Sequence, residues 1–148
     1  MAAGTTALEL GRILAGWPGL ATEVDERTIP QEVRFDEIGG VSYTKGCYTG
    51  QETVSRLHFR GHANRQLRGL LFDEEPLGTA SVVADDRAVG RVTSVAWLPA
   101  GPRTPVTGRW IGLAILRREV EPGATVRAAE VEARVVDLPF SLPYIEPA

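Results

Sequence analysis

One cysteine, Cys47, one methionine and one lysine, Lys45, stand in a chain of 148 residues. A single cysteine cannot close an intrachain disulfide, so nothing here asks for an oxidising compartment. Long apolar runs are also missing. No segment approaches the ~20 apolar residues of a membrane-spanning helix. The opening "MAAGTTALELGRI" lacks the basic region and apolar run that mark a signal peptide. The expected location is the cytoplasm, without membrane contact. Excess positive charge is absent too: a formal net charge of −3 argues against a general nucleic-acid binder, so direct nucleic-acid binding is not expected. No phosphate-binding glycine loop, G-x-S-x-G elbow or H-E-x-x-H motif occurs.

What is present is an apolar fraction of 43%, enough for a real core in one domain, or in one domain plus part of another. Charge is spread unevenly. From Thr53 to Leu71 there is no acidic residue, yet the interval holds Arg56, Arg60, Arg65 and Arg68 and both histidines, His58 and His62. Most charge runs are solvated faces, but four arginines without a balancing carboxylate favour an anionic partner. His58 and His62 have a spacing that can chelate a metal on a helix. Gly61 ends that helix between them and no third ligand is evident, so no metal site is predicted.

The order of elements follows from periodicity. "TALELGRILAGW" reads as an amphipathic helix, with Thr6 and Glu9 at capping-box spacing and Leu10, Ile13, Leu14 and Trp17 on one face. Gly16 and Pro18 stop it. Residues 21–42 read as an ordered loop with a helical turn before Gly39 and Gly40. A second helix has Thr49 as its predicted N-cap, Glu52 at the N3 position, Val54 and Leu57 on one face, and Gly61 at its end. After Arg65 the period becomes two. "QLRGLLF", "TASVVA", "AVGRVTSVAW", "RWIGLAILR", "ATVRA" and "AEVEARVVDL" are predicted strands. Turns or loops at Asp85-Asp86, Pro99 to Pro105 and Glu121-Pro122-Gly123 separate several of them. With no long helices between them, the strands should pair antiparallel in a small barrel or sandwich. The tail "SLPYIEPA" is a packed or loose end.

The stretch "TKGCYTGQE" places the single lysine and single cysteine two residues apart. A thiol near a helix N-terminus feels the positive end of the helix dipole, and Lys45 adds to that field. Cys47 is therefore a candidate reactive thiol, with Lys45 as its partner. An inert, partly buried cysteine is the commoner fate of a lone Cys. A histidine base for Cys47 can come only from His58 or His62, and nothing local shows that either reaches it. Gly46 and Gly50 let the backbone turn tightly or approach a ligand. Capping explains Glu52; nothing structural explains Gln51.

"KGCYTGQE" resembles the signature of the YgfZ family of folate-binding proteins, K-G-C-aromatic-x-G-Q-E, at every position. "DERTIPQE" and "RLHFRGHANRQLRGL" are similar to the family's segments on either side. "VGRVTSVAW", "WIGLAILRR" and "VVDLPF" look like the carboxyl-terminal barrel shared with the glycine-cleavage T-protein. The resemblance runs from about Glu9 to Phe140. It implies a mainly β fold with a short α-helical N-terminal segment: an antiparallel Greek-key-like barrel over residues 65–148, and over residues 1–64 what remains of a folate-binding domain. It implies that the family's longer amino-terminal half, the larger part of its folate-binding core, is absent. The implied role is tetrahydrofolate-dependent assistance in iron–sulfur cluster assembly or repair, with an effect on tRNA modification. The implied partners are iron–sulfur proteins or their assembly machinery. Cys47 falls on the family's cysteine and Lys45 on its lysine, and these two are the candidate catalytic residues. The candidate cofactor-binding residues are Tyr48, Gly50, Gln51, Glu52 and, from the arginine run, Arg68.

Two alternatives remain open at this point. One is a tetrahydrofolate-dependent aminomethyltransferase like the T-protein, although Cys47 and Gln51 favour the YgfZ branch. The other is a plain protein-interaction barrel. Exposed Leu10, Leu14 and Trp17 in the N-terminal segment are expected to promote self-association.

Overall fold

The computed structural model describes residues 2–101 and 107–141. The tail beyond Ser141 and most of the Pro99–Pro105 loop lie outside the described residues. Among the described residues two helices, α1 (Ala2–Ala15) and α2 (Gln51–Arg60), and a 3-10 turn, Pro30–Val33, precede six strands. These are β1 (Arg65–Phe72), β2 (Ser81–Ala84), β3 (Arg87–Leu98), β4 (Arg109–Arg117), β5 (Thr125–Ala128) and β6 (Val131–Val136). They close into an antiparallel barrel in the order β1-β4-β3-β2-β5-β6, with β6 paired back onto β1. The mainly β architecture expected from the period-two segments is what the chain forms.

Alternation decides which side chains fill the barrel. On β6, Ala133 and Val135 point inward, while Glu132 and Arg134 face solvent. On β1, Leu70 and Phe72 enter the interior, while Leu67 and Leu71 face outward into a second apolar cluster. β4 divides in the same way. Ala114 and Leu116 line the inside, and Ile111, Leu113 and Ile115 line the outside. A strand covered on both faces reads as a nearly continuous apolar run, which is how "WIGLAIL" reads. Inside this narrow barrel Gly112 has no room for a side chain: an added Cβ would lie 2.6 Å from the Ser94 carbonyl and 2.9 Å from Phe72.

The outer cluster is where the N-terminal segment packs. Ile13 and Val33 are fully buried there, with Leu10, Leu14, Phe35, Leu138 and Phe140 packed around them. Removing a side chain such as Ile13 from water contributes roughly 1.5–3 kcal/mol. Leu10 and Leu14 are therefore half-buried against the barrel rather than exposed. Only Trp17, 56% exposed, keeps the solvent-facing character expected of the three.

The helix starts differ from the sequence reading. α1 begins at Ala2, so Thr6 lies inside the helix rather than at its N-cap. Its end is as expected. Gly16 adopts a positive φ of 66°, Trp17 N–H donates to the Arg12 carbonyl and Gly16 N–H to the Ile13 carbonyl. The Arg34 guanidinium closes this end by donating to the carbonyls of Gly16 (2.8 Å) and Ala15 (3.3 Å). Phe140 N–H donates to the Leu14 carbonyl, so the chain leaving β6 is tied to the same helix end.

Candidate functional site: a cleft beside the Lys45–Glu52 loop

The loop Lys45–Glu52 is shaped by one serine. Ser42 Oγ accepts from Lys45 N–H (3.1 Å), and the Ser42 carbonyl accepts from the Tyr48 hydroxyl (3.3 Å). Lys45 Nζ then stands 4.9 Å from the centre of the Tyr48 ring, a cation–π contact. Gly50 follows with φ of 83°, a left-handed conformation that suits glycine. α2 starts immediately after it. The N-cap is Gly50, not Thr49, and no side chain caps the helix. Glu52 accordingly sits at the second helical position and makes no capping bond.

Across from this loop runs Glu26–Pro30. Asp25 Oδ1 accepts from Arg27 N–H (2.8 Å) and the Thr28 hydroxyl (3.0 Å), fixing a tight turn. These bonds, led by the one from Arg27 N–H, hold the Asp25 carboxyl below its ordinary value. Gln31 Nε2 donates to the Val54 carbonyl at 2.8 Å and so ties α2 to the 3-10 turn, beside the buried Val54 side chain. Between the two walls lies a cleft of about 470 Å³. Its lining includes Ile29, Pro30, Val41, Lys45, Tyr48 and Gly50. It offers apolar walls, the hydroxyl-bearing Thr28, Ser42, Thr49 and Thr53, one ammonium group, one carboxylate, Glu26, and the uncapped positive end of a helix.

The sequence-predicted site residues divide. Lys45, Tyr48 and Gly50 line the cleft together. Cys47 is exposed beside it, Gln51 is half-buried and Glu52 is exposed; none of the three lines it. Arg68 lies elsewhere, on β1, with its guanidinium held by Asp137 and by Gln66 Oε1 (2.6 Å). The arginine run changes meaning in space. Arg65 pairs with Glu32 at 3.1 Å and Arg68 with Asp137, carboxylates remote in sequence. Two of the four arginines are thus balanced. His58 stacks on Tyr43, with ring centres 3.7 Å apart. Among the described residues no group of three metal-binding side chains forms, and no helix is long and apolar enough to cross a membrane.

One polar cluster has no counterpart in the sequence reading. Glu23 is buried and accepts from Arg12 (2.9 Å), Gly19 N–H (2.7 Å), Thr22 and Ser94. Burial pushes its pKa up, but the hydrogen bonds from Ser94, Thr22, Thr93 and Gly19 outweigh that and leave it below the ordinary carboxylate value. Ser94 reaches Glu23 because β3 carries a bulge between Val92 and Ser94, which alters the alternation so that Val92 and Val95 both face inward. This cluster fastens the N-terminal segment to the barrel.

Comparison with known proteins bears on the family and the fold. Residues 65–141 match the family described as the glycine cleavage T-protein C-terminal barrel domain. The chain is 33% identical over 141 residues to the tRNA-modifying protein YgfZ of Vibrio vulnificus (strain YJ016), covering 90% of the chain and 42% of that protein. It is 32% identical over 142 residues to the tRNA-modifying protein YgfZ of Serratia proteamaculans (strain 568), covering 88% and 40%. Among solved structures it is similar to glycine cleavage system aminomethyltransferase T from Bartonella henselae. There the TM-score is 0.68 at 19% identity, covering 92% of the chain and 38% of that protein. At that identity the likeness concerns the fold alone. The chain spans about two fifths of the length of these relatives.

Proposed function

The chain belongs to the family of the glycine cleavage T-protein C-terminal barrel domain, and from that premise we propose that it is a YgfZ-like folate-dependent protein assisting iron–sulfur cluster assembly or repair. In this reading residues 1–64 belong with the folate-binding portion, residues 65–148 are the barrel that carries it, and the protein works in the cytoplasm. Its clients are iron–sulfur proteins or their assembly machinery, among them enzymes that modify tRNA. The observation that carries the reading is the cleft: the signature loop forms one wall of a 470 Å³ space at the uncapped start of α2.

The residues fit tetrahydrofolate by their chemistry. Tyr48, Ile29, Pro30 and Val41 offer apolar surface to a flat ring system. Lys45 and the positive end of the α2 dipole suit a carboxylate. Bound, the cofactor supplies a reduced pteridine. The chain itself supplies Cys47, exposed at the edge of the cleft, whose thiolate can ligate iron or form a mixed disulfide. Lys45 would hold the anionic end of the ligand.

Calorimetric titration with tetrahydrofolate tests this. The parent chain is expected to bind, and Lys45→Ala to bind about tenfold more weakly, the loss of one charge-assisted contact. Cys47→Ser is expected to bind folate normally and to fail in restoring a damaged iron–sulfur enzyme. Absence of folate binding, or binding indifferent to both Lys45→Ala and Tyr48→Ala, sinks the reading.

A further inference from the structure

The outward side of α2 carries chemistry that the cleft does not use. Arg56, Phe59 and Arg60 are three and four residues apart and so share one side of the helix. Val54 turns to the opposite side and is buried. Phe59 is 70% exposed. It is nonetheless fixed in orientation: it meets His58 with centres 4.7 Å apart at 80° and Tyr43 at 6.2 Å and 68°. His58 and Tyr43 are themselves stacked. Three rings thus brace one another, and Phe59 keeps most of its surface in water.

Charge flanks that ring. Arg56 and Arg60 are exposed, and among the described residues neither forms an ion pair. Glu52 stands one turn before Arg56 on the same side without engaging it. Beyond Glu52 the next acidic residue along the chain is Asp73. Arg65 and Arg68 are consumed by Glu32 and Asp137, so the free cations of the run are those beside Phe59.

We propose that this face of α2 docks single-stranded RNA, with an unpaired base stacked on Phe59 and neighbouring phosphates on Arg56 and Arg60. A pre-oriented exposed ring between two guanidinium groups matches the alternation of base and phosphate along a single strand. A duplex offers phosphates but hides its base faces. An acidic peptide satisfies the arginines and leaves Phe59 without a flat partner. The choice of RNA rests on the function proposed above, in which client enzymes modify tRNA and relatives are named tRNA-modifying proteins, and adds to it that this chain contacts the RNA itself. The net charge of −3 argues against nucleic acid over the whole surface; this face is a local exception.

The test is fluorescence anisotropy of a labelled, unstructured RNA of about ten nucleotides with the full chain at low salt. Phe59→Ala is expected to weaken binding about tenfold, the loss of one stacked base, while Phe59→Trp retains it. Arg56→Gln and Arg60→Gln are each expected to lower the slope of log affinity against log salt by about 0.7. The same variants are titrated with tetrahydrofolate, which they are expected to bind like the parent. Equal RNA affinity of the parent and Phe59→Ala overturns the proposal. So does equal binding of the corresponding duplex, or full displacement of the RNA by a polyglutamate peptide at matched charge. RNA binding that depends on Phe59 in a chain that does not bind folate supports this face and refutes only the folate reading.

Discussion

The barrel and the segment that carries the signature are built on opposite terms. The barrel buries apolar side chains on both faces of β1 and β4, and every strand has two neighbours. α2 has one buried side chain, Val54, and one side-chain bond from the 3-10 turn, donated by Gln31. The contrast teaches that stability and candidate chemistry are separated. A closed sheet supplies the rigidity, and a lightly anchored loop and helix supply the exposed lysine, thiol and arginines. Elements with few buried contacts open at lower free energy than the core.

The largest expected effect comes from the barrel. Phe72→Ala removes a fully buried ring and is expected to cost about 3–5 kcal/mol in urea unfolding. A loss as small as that of an exposed residue would break the contrast. Next is the junction. Glu23→Ala leaves Arg12 without its buried partner and is expected to cost roughly 3 kcal/mol. This junction also sets a pH dependence. Because the folded pKa of Glu23 lies below its ordinary value near 4.5, its contribution is complete above that value. It is lost as pH falls through the lower folded value. Unfolding measured against pH is expected to lose this acid limb in Glu23→Gln.

A smaller effect belongs to the signature segment. Val54→Ala is expected to cost about 1–2 kcal/mol. In native-state hydrogen exchange it should speed the amides of α2 while leaving those of β4 unchanged. Global acceleration would show that the segment and the barrel unfold as one. The smallest effect is at the site itself. Cys47→Ser and Lys45→Ala should shift thermal unfolding by no more than about 0.5 kcal/mol, as exposed positions do. A large loss at either would recast the signature as a structural device.

Much of the barrel was legible because alternation and turn residues are local signals. All six predicted strands form, and Val131–Val136 shows the cleanest alternation. The helix starts were misread for local reasons as well. Capping-box spacing is necessary for such a cap but not sufficient. Thr6 has the right neighbour inside a helix that starts earlier, and Thr49 precedes a glycine whose left-handed φ makes it the cap. What stayed hidden was long-range. Arg65 and Arg68 looked unbalanced because Glu32 and Asp137 are distant in sequence, and Ser94 meets Glu23 only because of a bulge in β3. The signature's residue types pointed to a site. Which of them share a cleft depended on Ser42, which folds Lys45 back over Tyr48.

Closure of the sheet between β1 and β6 has a consequence for biosynthesis. Gly69 pairs with Val136, so the first strand stays half unpaired until the last one has been translated. The apolar faces of α1 and of the 3-10 turn emerge earlier still, before the surface that covers them exists. Pairing over such sequence distances is slow. A nascent chain of this kind exposes open strand edges and apolar side chains for as long as synthesis lasts, which makes it a substrate for chaperones that hold chains at the ribosome. Slowed elongation after β4 should therefore raise the aggregated fraction more than slowed elongation before β1.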